Sequence, residues 1–189
     1  MNRREALKTV AVILGGSVIS APVFLSGCRP EEGTGRSVYF APDDIRLLDE
    51  ISETMIPETD TPGAKTAEVG VFMAGMAPVL YDEKNRESFV AGLAAIRNNF
   101  QAEYGHSFLN GENSERLDFL NNLDQEVESY NQQKKEDEPE HYFRLMKELA
   151  LLGFLTSEAG STQALRYVQT PGRYDGCIPY RDGDKAWAV

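Results

Sequence analysis

Apolar residues recur three and four positions apart through most of this chain, and no stretch alternates apolar and polar residues as a half-buried strand does. Five segments show this helical spacing: one from Pro42 to Pro57, then about 66–81, about 84–104, one starting near Ser114 and one following Pro139. No internal repeat of about 20–50 residues occurs. The pattern predicts an all-α fold, with a single domain of about five helices over residues 42–189.

Proline, glycine and acidic residues predict where these helices begin and end. Pro42 precedes two aspartates, which favours a helix start, and Pro57 should stop that helix. Pro78 should kink the second helix or end it early, and Gly105 should end the third. Ser114 is expected to cap the fourth helix. The fifth helix should form the centre of the core through Tyr142, Leu145, Met146, Leu149, Leu152 and Leu155.

Composition excludes several functions. The formal net charge of -11 argues against nucleic-acid binding, which needs a basic surface. With 2 Cys and 2 His, the chain alone cannot hold an iron–sulfur cluster, a four-cysteine zinc site or a c-type haem. We expect no catalytic residue and no metal site: His106 and His141 are interpreted as exposed or capping side chains, and Asp182–Asp184 as a turn rather than a calcium loop. The acidic segment 112–140 is interpreted as a solvated face, with a basic partner as the alternative.

Residues 1–27 are predicted to be an export signal. A basic start is followed by an apolar run, 10–27, that Gly, Ser and Pro residues interrupt. Arg3 and Arg4, with Leu7 and Lys8, resemble the twin-arginine pattern, although Ala6 replaces its usual Phe. The alternative is a general secretory signal with two incidental arginines. A twin-arginine signal predicts transport of the folded protein to the periplasm.

The end of this apolar run resembles a lipoprotein cleavage site. Leu25-Ser26-Gly27-Cys28 places two small residues before a cysteine, so Cys28 is predicted to be lipidated and to hold the protein on a membrane surface. The alternative is an ordinary export signal, with Cys28 free or paired with Cys177. Residues 28–41 are polar and contain glycine, which predicts a flexible tether.

The residues from about 165 onward differ from the rest of the body. Tyrosines, Ile178 and Trp187 lie among glycines and prolines that prevent a continuous helix. Such a segment must bury its rings, either on its own helices or, as an arm, on another subunit, since Tyr and Trp favour interfaces. We call residues 165–189 the C-terminal arm.

Three segments resemble one family. Residues 53–64 (ETMIPETDTPGA), residues 153–158 (GFLTSE) and the stretch from Tyr167 to Tyr180 are similar to motifs of the gluconate 2-dehydrogenase subunit 3 family. The resemblance covers about residues 43–187, and the family's pattern includes a cysteine at position 177. Together with the aromatic content, it predicts a partner interface made of Tyr167, Pro171, Tyr174, Cys177, Tyr180 and Trp187.

The resemblance implies an accessory role. In that family the small subunit accompanies a large FAD-containing dehydrogenase of the glucose–methanol–choline type, which oxidises gluconate, glucose, fructose or the 3-hydroxyl of glycosides. Electrons pass to a cytochrome c or another membrane acceptor. The resemblance implies that this chain binds no cofactor itself, supplies the export signal and helps the flavin subunit mature. The alternatives are an enzyme with an unrecognised site and a lipid-anchored structural or carbohydrate-binding protein without a dehydrogenase partner.

Overall fold

Five α-helices account for most of the part of the chain that the computed structural model describes, residues 40–170, 172 and 176–188. They are α1 (Pro42–Met55), α2 (Val69–Leu80), α3 (Glu83–Tyr104), α4 (Asn113–Gln133) and α5 (Tyr142–Thr156). A 3-10 helix, Phe108–Asn110, precedes α4, and a π-helix, Gly160–Ala164, follows α5. Strands β1 (Arg166–Tyr167) and β2 (Trp187–Ala188) pair in parallel. The predicted all-α fold is confirmed.

Some predictions concern residues outside these ranges. Outside the described residues lie the signal segment 1–27 with Arg3 and Arg4, then Cys28, and the tether up to residue 39. Pro171 and Tyr174 also lie outside them. Phe40, placed in the tether by the sequence, is buried, and its ring lies edge-on to that of Phe89 at 5.8 Å between centroids. The packed body therefore begins two residues before α1.

Local sequence explains where α1 and α3 begin and end. The Asp44 carboxylate accepts a hydrogen bond from the backbone N–H of Ala41 at 2.7 Å, and α1 ends at Met55, shortly before Pro57. The Asp82 side chain caps α3 by accepting from the N–H of Asn85 at 2.9 Å. Gly105, with φ of 80°, ends α3 as predicted, because this left-handed conformation suits glycine.

Several helix ends differ from the prediction. Helix α4 starts at Asn113, and Glu115 rather than Ser114 satisfies a terminal N–H, that of Glu112 at 2.9 Å. Helix α5 starts three residues after Pro139. Helix α2 continues to Leu80, past Pro78, because a proline in the last turn removes only a bond near the helix end.

Helix α5 lies at the centre of the core, packed against α2, α3 and α4. Its buried face consists of Phe143, Leu145, Met146, Leu149, Ala150, Gly153 and Phe154. Leu152 and Leu155, predicted to be in the core, are each 42% exposed. The prediction was wrong for these two because the helical period of 3.6 residues places them on the side opposite Gly153 and Ala150.

Candidate partner interface

The loop of residues 58–64, which carries the TDTPGA motif, is held against the end of α1. One oxygen of the Glu53 carboxylate accepts from the N–H of Glu58 at 3.0 Å, and the other accepts from the N–H of Lys65 at 2.8 Å. The N–H of Ala64 donates to the carbonyl of Ile56 at 2.9 Å. A side chain on helix α1 thus fixes both ends of the 58–64 loop.

Two glycines near this loop allow close packing. A Cβ atom at Gly63 would lie 2.4 Å from Glu53 Oε1, and one at Gly70 would lie 2.3 Å from Asp49 Oδ1. The N–H of Gly70 donates to Asp49 Oδ1 at 2.9 Å. Burial raises the pKa of Asp49, and this hydrogen bond opposes the shift. The glycines therefore serve the fold of this region.

A charged cluster joins the loop to the neighbouring elements. Glu50 pairs with Lys65 at 2.6 Å and with Arg116 at 2.5 Å. The largely buried Arg116 also donates to the carbonyls of Phe108 and Leu109, at 2.9 Å and 2.8 Å. Every buried side-chain N or O atom of the described residues has a hydrogen-bond partner. The carboxylates around the TDTPGA motif thus act as structural anchors.

The GFLTSE motif spans the end of α5. The Ser157 hydroxyl donates to the carbonyl of Phe154 at 2.7 Å and accepts from the N–H of Gly160 at 2.9 Å. Glu158, Ala159 and Gln163 line a shallow depression that Thr66, Ala67 and Glu68 also line. The structure therefore places the end of this motif beside the residues that follow the TDTPGA loop.

The described part of the C-terminal arm returns to its own start. The N–H of Arg166 donates to the carbonyl of Ala186 at 2.7 Å, and the Arg166 guanidinium lies 4.2 Å from the centre of the Trp187 ring. The Lys185 ammonium donates to the carbonyl of Gln163. These contacts join the two ends of the segment 166–187.

Four of the six predicted interface residues are described, and all four are exposed. The exposed fraction is 53% for Tyr167, 74% for Tyr180 and 45% for Trp187, and the thiol of Cys177 is free and exposed. The described part of the arm thus presents three aromatic rings to solvent.

A second exposed apolar surface was missed by the sequence reasoning. Helix α2 contains no polar side chain, yet Val71, Val79 and Leu80 are exposed. The Phe72 ring packs on Gly153 of α5, the helix that also exposes Leu152 and Leu155. The sequence did contain a signal for this surface, because a helix without polar residues is expected to be buried on all sides. This helix follows a polar loop.

An apolar groove lies between α1, α4 and α5. Met55, Ile56, Leu117 and Leu151 line it, and its volume is about 260 Å³. The ion pair between Lys147 and Asp124 (2.5 Å) stands in its wall. A groove of this composition suits an apolar side chain better than a charged ligand.

The two histidines occupy structural positions. His141 Nδ1 accepts from the N–H of Phe143 at 3.3 Å, which caps α5, and burial lowers the pKa of His141. His106 Nε2 lies 3.4 Å from a carboxylate oxygen of Glu115. Over the described ranges, no group of three or more His, Cys, Asp or Glu residues is placed to hold a metal ion. Nor is any helix there long and apolar enough to cross a membrane.

Comparison with known proteins identifies a family. The model of the family described as "Gluconate 2-dehydrogenase subunit 3" matches residues 42–172, which include all five helices. Neither a curated protein nor a solved structure matches the chain.

Proposed function

The chain belongs to the gluconate 2-dehydrogenase subunit 3 family and so is a small accessory subunit of a dehydrogenase complex of that type; we propose that it docks on a large FAD-containing subunit. The partner would be of the glucose–methanol–choline type, oxidising gluconate, glucose or a glycoside hydroxyl. In this proposal the flavin lies in the partner, and a cytochrome c or another membrane acceptor receives its electrons.

The exposed rings of the C-terminal arm carry the proposal. Tyr167, Tyr180 and Trp187 have large rings that are between 45% and 74% exposed in the chain alone. Tyrosine and tryptophan are enriched among the residues that contribute most to protein–protein affinity. Each ring buried against a partner contributes roughly 1.5–3 kcal/mol before ordering costs are subtracted.

The same proposal assigns export and anchoring to the N-terminal residues. Arg3 and Arg4 would direct the folded subunit, together with its flavoprotein partner, through the twin-arginine route to the periplasm. Lipidation of Cys28 would then hold the complex on a membrane surface. The similarity of residues 1–28 to these two signals supports this part of the proposal.

Deleting residues 170–189 tests the docking role. We expect the truncated protein to retain its helical circular dichroism and melting temperature, because no buried apolar side chain of the described residues lies beyond Phe154. It should no longer copurify with the co-expressed flavin subunit. Undiminished copurification would contradict the proposal, and loss of the helical signal would show that the arm stabilises the protein's own helices.

A point variant tests the same role of the arm without removing the paired strands β1 and β2. Tyr180→Ser removes one exposed ring and leaves β1 and β2 intact, so we expect weaker binding of the flavin subunit at an unchanged melting temperature. Val90→Ser, on the exposed surface of α3, is the matched control and should bind normally. Equal binding by both variants would count against the arm as the surface that binds the flavin subunit.

A further inference from the structure

The outer face of α2 consists of Val71, Gly75 and Val79, which lie four residues apart on one side of the helix. All three are exposed, Val79 by 78%. The opposite side packs on α1 and α5 through Val69, Gly70, Met73, Ala74 and Ala77. Exposed apolar surfaces are typical of sites that bind another chain or a membrane.

Gly75 distinguishes this face from ordinary exposed apolar residues. Apart from its two chain neighbours and the backbone of its own helix, no heavy atom of the described residues lies within 4 Å of the position where a Cβ atom would stand. A glycine inside a helix costs about 1 kcal/mol relative to alanine. Nothing within the described chain explains that cost, whereas close approach by the backbone of another chain does.

The charges beside this face indicate which occupant it suits. Glu68, just before α2, and Glu158 are both exposed and line one depression, and neither forms an ion pair within the described part of the chain. A second copy carries the same formal net charge of -11 and would be repelled. An anionic lipid surface would also be repelled, whereas a protein with basic residues at this position would be attracted.

We propose that a surface helix of the large dehydrogenase subunit packs on the outer face of α2. A small residue of that helix would lie against Gly75, and lysine or arginine side chains would face Glu68 and Glu158. Helix α2, 12 residues or about 18 Å long, offers three turns for such packing. The identity of the partner rests on the proposed function, whereas this second contact surface is separate from the C-terminal arm.

A bulky residue at Gly75 tests the packing. Gly75→Leu should leave the melting temperature of the isolated chain unchanged or raised, because the space around Gly75 is open. It should weaken binding of the purified flavin subunit by at least about tenfold, which corresponds to about 1.4 kcal/mol. Ala94→Leu, at an exposed position of α3, is the matched control and should bind as the unaltered chain does.

Charge reversal tests the proposed contact of Glu68 and Glu158 with basic side chains of the partner. Glu68→Lys with Glu158→Lys should also weaken binding, and the loss should diminish as salt is added. If Gly75→Leu binds as tightly as Ala94→Leu while the arm deletion abolishes binding, this inference is overturned and the proposed function stands. If the unaltered chain binds no flavin subunit at all, the proposed function itself fails.

Two further measurements test whether a different occupant covers the outer face of α2. A concentration-dependent dimer of the isolated chain that Gly75→Leu converts to a monomer would assign the face to a second copy. Flotation with phosphatidylglycerol vesicles that Gly75→Leu abolishes would assign it to lipid. Either result overturns the proposal, and a monomeric chain whose flotation is unaffected by Gly75→Leu supports it.

Discussion

The region around the TDTPGA loop and the outer face of α2 are adjacent in sequence but opposite in character. In the first, the side chains of Asp49, Glu50 and Glu53 each bind a group of the same chain, at distances of 2.5 to 3.0 Å. In the second, apolar side chains face solvent, and the space beside Gly75 is open. The motif that identifies the family thus maintains the fold, and the plain apolar helix beside it is available to a partner.

This contrast separates two reasons why a sequence position matters. A position such as Gly63 is restricted by atoms of its own chain, so replacing it should change the stability of the isolated protein. A position such as Val79 is unrestricted by its own chain, so replacing it should change the assembly alone. Measuring stability and binding on the same variants therefore tests the assignment of each region.

The largest loss of stability should come from breaking the charged cluster of Glu50, Lys65 and Arg116. Arg116→Met leaves the carbonyls of Phe108 and Leu109 without their donor and Glu50 with Lys65 alone. Removing one partner of a buried ion pair costs roughly 3–5 kcal/mol, and because Glu50 retains Lys65 we expect a loss of about 3 kcal/mol. Urea unfolding followed by circular dichroism measures it.

The matched control is another arginine in an ion pair. Arg46 pairs with Asp43 one turn away, and both side chains are mostly exposed. Arg46→Met should leave the urea midpoint almost unchanged, since exposed pairs contribute little. A similar loss in both variants would contradict the special role of Arg116.

A single substitution at two positions of α2 should have opposite effects. Gly70→Ala places a methyl group 2.3 Å from Asp49 Oδ1 and 2.7 Å from the Asp49 backbone nitrogen, so we expect a loss of roughly 1–3 kcal/mol. Gly75→Ala meets no atom and gains helix propensity, so we expect a gain of up to about 1 kcal/mol. Melting temperatures of the two variants measure the difference, and a shift of the same sign in both would refute the contrast between the crowded Gly70 and the open Gly75.

The smallest effect should be a dependence on pH at the start of α5. Burial lowers the pKa of His141 below 6.5 in the folded protein, although Glu126 opposes the shift. The unfolded chain then binds the proton more readily, so the stability present above pH 6.5 is lost as the pH falls toward the folded pKa. His141→Asn retains a capping acceptor without the titration. The unfolding free energy of this variant should therefore lack the decrease that the unaltered protein shows between pH 7.5 and pH 5, about the range of an ordinary histidine titration.

The helices were predictable from the sequence because their apolar period and their stop signals are local. Pro57 and Gly105 end helices as expected. The cap at Glu112 and the exposure of Leu152 and Leu155 were not predictable in the same way. Helix α5 has more leucines than one face requires, and only the packing of α2, α3 and α4 decides which side is covered.

The structure of the C-terminal arm could not be predicted from the sequence, for a related reason. Aromatic residues among glycines and prolines indicated a segment that buries its rings either on its own helices or on another subunit, but they gave no information about the pairing of Arg166 with Trp187. That pairing joins residues far apart along the chain, which no local pattern encodes. The close space around Gly70 and the open space around Gly75 are likewise invisible in the sequence, because both are glycines of one apolar helix.

The pairing of β1 with β2 limits how far the arm can extend. Tyr180 lies seven residues before Trp187, which is fastened beside Arg166. Even a fully extended chain of that length spans at most about 25 Å. Any surface that binds Tyr180 must therefore lie within that radius of the strand pair, so the arm serves as a short loop fixed at both ends and not as a long tether.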